Sequence, residues 1–237
     1  MSRSGQRRIS SGLTLIEVMV TLVILLLGLL GLSGLIVKAQ HLSYEAYERQ
    51  QALALATDLA ERMRANQSAN ATTPSNSAIA AIYAAKAPVD LPLGDPQRAS
   101  LWSQLQDHSI TDCAGGAACT PTELANYDLA AWEGLLLGAD KTNASNLRVG
   151  SISNVRGCVE GPVASMAPGV TAPAYTYRIT VAWQGDQAVP SVAGNTKDLR
   201  KLSTCAKGLY LTMANSPDVA DEYRRLVTLY IFIAQPA

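Results

Sequence analysis

Apolar residues crowd one end of the chain and thin into periodic patterns everywhere else. From Val18 to Val37 there are twenty residues without a charge, bounded by Glu17 and Lys38. At a helical rise of about 1.5 Å per residue, this run spans about 30 Å, the thickness of one bilayer core. Past it the apolar positions fall at three- and four-residue steps, or sums of them. Leu42, Ala46, Leu53, Ala56, Leu59, Ala60 and Met63 form one predicted stripe. Glu45 stands four residues before Arg49 and Asp58 four before Arg62, the favourable order for helix ion pairs. No proline occurs from Leu13 to Ala65, so the pattern predicts one helix of about fifty residues. Its first half is of membrane length; its second half is predicted to be covered on one side by a domain.

Residues 66–95 have another texture, rich in Ala, Ser, Asn, Thr and Pro. They are expected to form a long, mostly irregular connection with a short helix at Ala78–Lys86. Arg98–His108 reads as a short helix carrying Leu101, Trp102 and Leu105. The next helix is announced by Thr120 as cap, Pro121 in the first turn and Glu123 completing a capping box. Leu124, Leu129, Trp132, Leu135 and Leu136 supply its apolar face, and Gly138 stops it. From Val149 the period becomes two. Tyr175, Tyr177, Ile179, Val181 and Trp183 alternate with polar or small residues as a half-buried strand. Leu226–Ile233 gives a second strand, with Val227, Leu229, Ile231 and Ile233 on one face, and weaker strands are expected at Ser151–Glu160 and Leu209–Met213. The resulting expectation is α+β: a long N-terminal helix packed against a C-terminal antiparallel sheet.

Charge refines the N-terminal picture. The chain of 237 residues carries nineteen basic and nineteen acidic side chains. Arg3, Arg7 and Arg8, with no acidic residue among them, precede the apolar run and favour a cytoplasmic N-terminus. An ordinary secretory signal has a shorter apolar core followed by a small-x-small cleavage site, which residues 36–41 lack. Arg7-Arg8 opens like a twin-arginine signal, but Ile9-Ser10-Ser11 does not continue it. Glu17 is the anomaly: an ionised carboxylate at the head of a membrane segment costs on the order of several kcal/mol unless paired. A plain anchor has no use for it.

Gly12-Leu13-Thr14-Leu15-Ile16-Glu17 and the run behind it resemble the class III signal of type IV pilins, and closely that of minor pilins of the PilV type. The resemblance implies that a prepilin peptidase cleaves between Gly12 and Leu13, that the new amine of Leu13 is N-methylated, and that Glu17 is the assembly carboxylate. Leu13 stands where the family usually has Phe. Two further stretches are similar to PilV-type chains: the helix end Arg62-Met63-Arg64-Ala65-Asn66, and the Asp128 and Trp132 pair in the capped helix. The division implied is a leader at 1–12, a transmembrane or filament-core helix at 13–37, its amphipathic continuation at 38–65, a variable helix-loop region at 66–148 and a sheet region at 149–237. Gly28, Gly31 and Gly34 read either as small packing positions or as a weak zone that unwinds on assembly. Loss of the leader would remove three basic side chains, leaving sixteen against nineteen acidic ones, a formal −3. That balance argues against nucleic acid as a partner.

Cys113, Cys119, Cys158 and Cys205 lie outside the apolar span, and four cysteines allow three pairings. Cys113–Cys119 and Cys158–Cys205 are the favoured ones, as expected of an exported chain. A zinc site is the alternative, without any C-x-x-C and with His41 and His108 far apart. No nucleophile elbow, phosphate loop or H-E-x-x-H occurs, and no cofactor is expected. The expected function is therefore assembly: a minor pilin in type IV pilus priming and tip formation, supporting adhesion or twitching motility. The resemblance implies other minor pilins, the major pilin, the inner-membrane assembly platform, the prepilin peptidase and a tip-associated adhesin as partners. It also implies residence in the bacterial inner membrane, with the C-terminal domain periplasmic, before incorporation into the pilus. A minor pseudopilin of type II secretion is the alternative.

Overall fold

One helix, α1 (Leu15–Ala65), takes up the whole predicted helical stretch. The computed structural model describes residues 14–67, 75–114, 118–139, 144, 152–167, 169–173, 175–189, 201, 203–210 and 221–233. The chain falls into two units, Met1–Ala46 and Tyr47–Ala237, and α1 contributes to both. In the first unit the described residues are Thr14 and the helix, with the large apolar side chains exposed. Together with the C-terminal antiparallel sheet, α1 gives an α+β, pilin-like layout.

Within the second unit three shorter helices follow. Ser75 caps α2 (Asn76–Lys86) through its side chain, which accepts the Ala78 N–H, and Ser100 caps α3 (Leu101–Gln106) by accepting that of Ser103. The α2 range begins two residues before the sequence expectation, because the capping serine fixes the start. α4 (Pro121–Leu136) opens with the predicted capping box: Thr120 accepts the Glu123 N–H while Glu123 returns to the Thr120 N–H at 2.9 Å. Gly138, at φ +62°, is in the left-handed region that ends a helix without cost to a glycine.

The strands are β1 (Arg156–Glu160), β2 (Ser165–Ala167), β3 (Val170–Thr171), β4 (Thr176–Gln184) and β5 (Arg224–Phe232). β1, β4 and β5 form an antiparallel sheet with β4 central, and β2 and β3 make a separate two-stranded pair. The register sets Val159 opposite Ile179, Val181 opposite Val227 and Ile179 opposite Leu229. Tyr177, Ile179, Val181 and Trp183 of β4 therefore share the inner face with Val227 and Ile231 of β5. Ala52, Ala56, Leu59, Ala60 and Met63 of α1 join them in one core with Ile79 and Tyr83 of α2 and Leu129, Trp132 and Leu136 of α4. Each fully buried large aliphatic there contributes about 1.5–3 kcal/mol.

Three sequence expectations need correction. Leu42 and Leu53 are exposed, as is Ala46, so the buried stripe of α1 is narrower than its apolar pattern. It runs Glu48, Ala52, Ala56, Leu59, Ala60, Met63. β4 is buried on both faces, with Thr176, Thr180 and Ala182 fully so. Residues 203–210 lie over part of the outer face, where Cys158, Ala182, Cys205, Ala206 and Tyr210 form a second cluster, and the Thr176 hydroxyl donates to the Pro173 carbonyl. Leu209 and Tyr210 are not in a strand, and residues 211–213 of that expectation lie outside the described residues.

Close approach also explains one glycine. A Cβ at Gly157 on β1 would stand 2.4 Å from the Trp132 ring and 2.7 Å from Leu136, so only glycine lets α4 lie on the strand at this point.

Candidate assembly site

The functional residues expected from the sequence are concentrated at the start of α1. Gly12 and Leu13 lie outside the described residues. Thr14 begins the described chain, and its hydroxyl oxygen accepts the Glu17 N–H at 3.4 Å, a long cap on the first turn. The Glu17 side chain is exposed. An acidic residue in a helix's first turn is favoured by the positive end of the helix dipole. The span behind it is compatible with lipid: the hydroxyls of Thr21 and Ser33 donate to the carbonyls of Val18 and Leu30, at 2.9 and 2.8 Å. Both polar groups are thereby satisfied within their own helix, the condition for placing them in hydrocarbon. α1 is long and apolar enough to cross a membrane.

Gly28, Gly31 and Gly34 meet nothing within 4 Å of where a Cβ would stand. Their three-residue spacing drifts about 60° round the helix per step, so they trace a slanting strip rather than a straight groove. Nothing inside the described chain requires glycine at these positions.

The two other stretches of family resemblance meet around the end of α1. Arg62 donates to Asp58 at 2.8 Å and reaches Asp128 of α4 at 3.5 Å. The Tyr83 hydroxyl of α2 donates to the other oxygen of Asp128 at 2.6 Å, and the Asn66 amide donates to Tyr83 at 3.1 Å and to the Pro121 carbonyl at 2.8 Å. One turn further along α4, the Trp132 indole donates to the Leu55 carbonyl at 2.8 Å. Burial raises the Asp128 carboxyl above its usual range although Tyr83 and Arg62 both favour the charged form. Burial, reinforced by Asp128, also pushes the Tyr83 phenol well up, so it stays a donor. This group fixes the angle and register of α1, α2 and α4 and has no reactive member.

Glu133 and Glu48 are buried carboxylates that were not anticipated. Glu133 of α4, next to Trp132, accepts the Ser100 hydroxyl and the Trp102 N–H, each at 2.8 Å, and so pins the start of α3. Glu48 accepts the Trp183 indole N–H at 3.2 Å at the far end of the buried stripe. Its signal was present: it falls four residues before Ala52 on the face that alanines continue. The cysteines pair as Cys113–Cys119 and Cys158–Cys205, with Cα separations of 6.0 and 5.9 Å. Among the described residues no group of three His, Cys, Asp or Glu is arranged to hold a metal ion.

Against known families, residues 7–33 match the model of the prokaryotic N-terminal methylation motif, and residues 34–88 match that of the type IV pilin Tt1218. No curated protein and no solved structure matches. The first match contains Gly12, Leu13 and Glu17; the second contains Arg62, Asn66 and Tyr83. Together they support a type IV pilin, with a role in pilus-type assembly and association with a membrane. Type IV pilins are structural proteins rather than enzymes. The methylation motif and the apolar helix fit a subunit anchored in the inner membrane and later incorporated into a pilus.

Proposed function

We propose that this chain is a minor pilin of the PilV type, which primes type IV pilus assembly and resides in the tip complex. The observation that carries the finer assignment is the Arg62–Asp128–Tyr83–Asn66 network with the neighbouring Trp132 contact. It joins the two stretches, helix end and Asp-Trp helix, that distinguish PilV-type chains from generic prepilin-like ones. In this reading residues 1–12 are a leader, and Leu13 becomes the N-methylated first residue of the mature subunit. Residues 13–37 enter the membrane and then the filament core, with Glu17 pairing with a neighbour's terminal amine. Other minor pilins, the major pilin, the inner-membrane platform and a tip-associated adhesin are its partners, and the domain faces the periplasm before assembly. Deleting the gene separates this from a type II pseudopilin: surface pili and twitching fall while enzyme secretion continues. Loss of secretion with normal piliation would reverse the assignment.

Two further outcomes are expected. Mass spectrometry of the protein from membranes finds N-methyl-Leu13 at the N-terminus, and replacing Gly12 with a bulky residue leaves the precursor uncut. An intact Met1 in sheared pili, or cleavage near Ala39, would overturn the processing scheme. Changing Gly28, Gly31 and Gly34 together to alanine keeps the surface small but strengthens the helix by about 1 kcal/mol per site. Packing through small residues tolerates that change; a zone that must unwind does not. We expect pilus counts to fall severalfold with normal membrane levels, and unchanged counts would refute the unwinding role.

A further inference from the structure

Residues 203–210 cover the outer face of the sheet, and they are fastened by more than sulfur. Cys205 is bonded to Cys158 of β1, 47 residues away in sequence. Beside it, Arg224 of β5 is 1% exposed, and one guanidinium nitrogen donates to the carbonyls of both Ser203 and Cys205, each at 2.9 Å. Its other terminal nitrogen donates to Asp221 at 3.2 Å, and the second oxygen of Asp221 accepts the Gly208 N–H at 3.2 Å. The Ser203 hydroxyl donates to Glu160, which is itself paired with Arg178, and accepts the Cys205 N–H at 3.2 Å. A buried cation thus grips the backbone on either side of Thr204 and sets the Cys205 sulfur over Cys158.

We propose that Arg224 is a positioning residue for closure of the Cys158–Cys205 disulfide, docking residues 203–208 on the sheet before the sulfurs join. Closing a 47-residue loop is entropically less favourable than closing the 6-residue one between Cys113 and Cys119. Without a template the long pair is therefore the harder one to select among the three possible pairings. Charge-assisted hydrogen bonds from a buried guanidinium are strong, and withdrawing the carbonyls would leave its buried N–H donors unpaired, so the clamp holds without the covalent bond. Docking then raises the effective concentration of one thiol at the other. With glutathione disulfide as oxidant, one thiolate displaces glutathione to give a mixed disulfide, and the second thiolate displaces another glutathione. The two cysteines lose two protons and two electrons, and two reduced glutathione molecules leave.

The test uses the full chain in detergent, equilibrated in glutathione buffers under native conditions and analysed by peptide mapping. In Arg224→Met the effective concentration of the Cys158–Cys205 pair should fall at least tenfold, with Cys113–Cys119 unchanged as the internal control. Arg224→Lys, which keeps the charge but loses the fork, should fall between. A Met variant within twofold of the parent overturns the proposal, as does an equal loss at both disulfides, which would mark general unfolding. A second measurement leaves Arg224 in place. In Cys158→Ser/Cys205→Ser, hydrogen exchange at residues 203–208 should stay within tenfold of the parent. Full exposure of that segment would show that the disulfide, not the clamp, holds it.

Discussion

Glu17→Val should leave the subunit processed, inserted and folded, yet almost absent from pili. The Glu17 side chain is exposed in the chain, and its backbone N–H, which the Thr14 cap uses, survives the substitution. Insertion should even improve, since a carboxylate leaves an apolar setting. Under the proposed pairing the loss comes on assembly, where a neighbour's terminal amine is left without its counter-charge. Breaking one side of a buried ion pair costs about 3–5 kcal/mol, and 3 kcal/mol already weakens association more than a hundredfold. Glu17→Asp keeps the charge with a reach shorter by one methylene and should fall between. Co-purification with partner pilins and pilus counts in cells carrying each variant are the readouts. Normal assembly with Val at this position would end the pairing mechanism.

Trp132→Ala should give the largest loss of domain stability, about 3–5 kcal/mol for emptying a buried aromatic site. The side chain is completely buried, presses on Gly157 and donates to the Leu55 carbonyl across to α1. Trp132→Phe keeps most of the volume and loses the hydrogen bond, so about 1 kcal/mol of its deficit belongs to that bond. Pulse proteolysis in urea on the full chain in detergent measures both. A deficit below 1 kcal/mol for the alanine variant would mean that α4 is not held to α1 by this contact. Glu17→Val should be unchanged in the same assay, which separates failure to assemble from failure to fold.

Long-period signals were legible in the sequence and short-range packing was not. α1, the Thr120 capping box and the faces of β4 and β5 follow from periodicity and capping chemistry that a chain displays on its own. The buried stripe of α1 was misassigned at Leu53 because hydrophobicity ranks leucine above alanine, while the neighbouring Ala52, absent from the predicted stripe, is the residue that is buried. β4 read as half-buried because its outer face carries Thr176, Arg178 and Thr180. Thr180 and Ala182 lie under a segment whose placement depends on Arg224 and Cys205, partners distant in sequence. Glu17 and the glycines are singled out by motif alone; Glu48 and Glu133 were missed because a lone acid on a helix reads as solvated until its partner elements are in place.

The Cys113–Cys119 bond closes a small ring whose described residues are exposed or half-buried, just ahead of the Thr120 cap. Its ends are held 6.0 Å apart whatever lies between them, so extra length inside the ring is not transmitted to the frame of α4. The ring is thus an insulated port: foreign peptide grafted there, an epitope tag for instance, would be displayed by the subunit without altering the core that orients it.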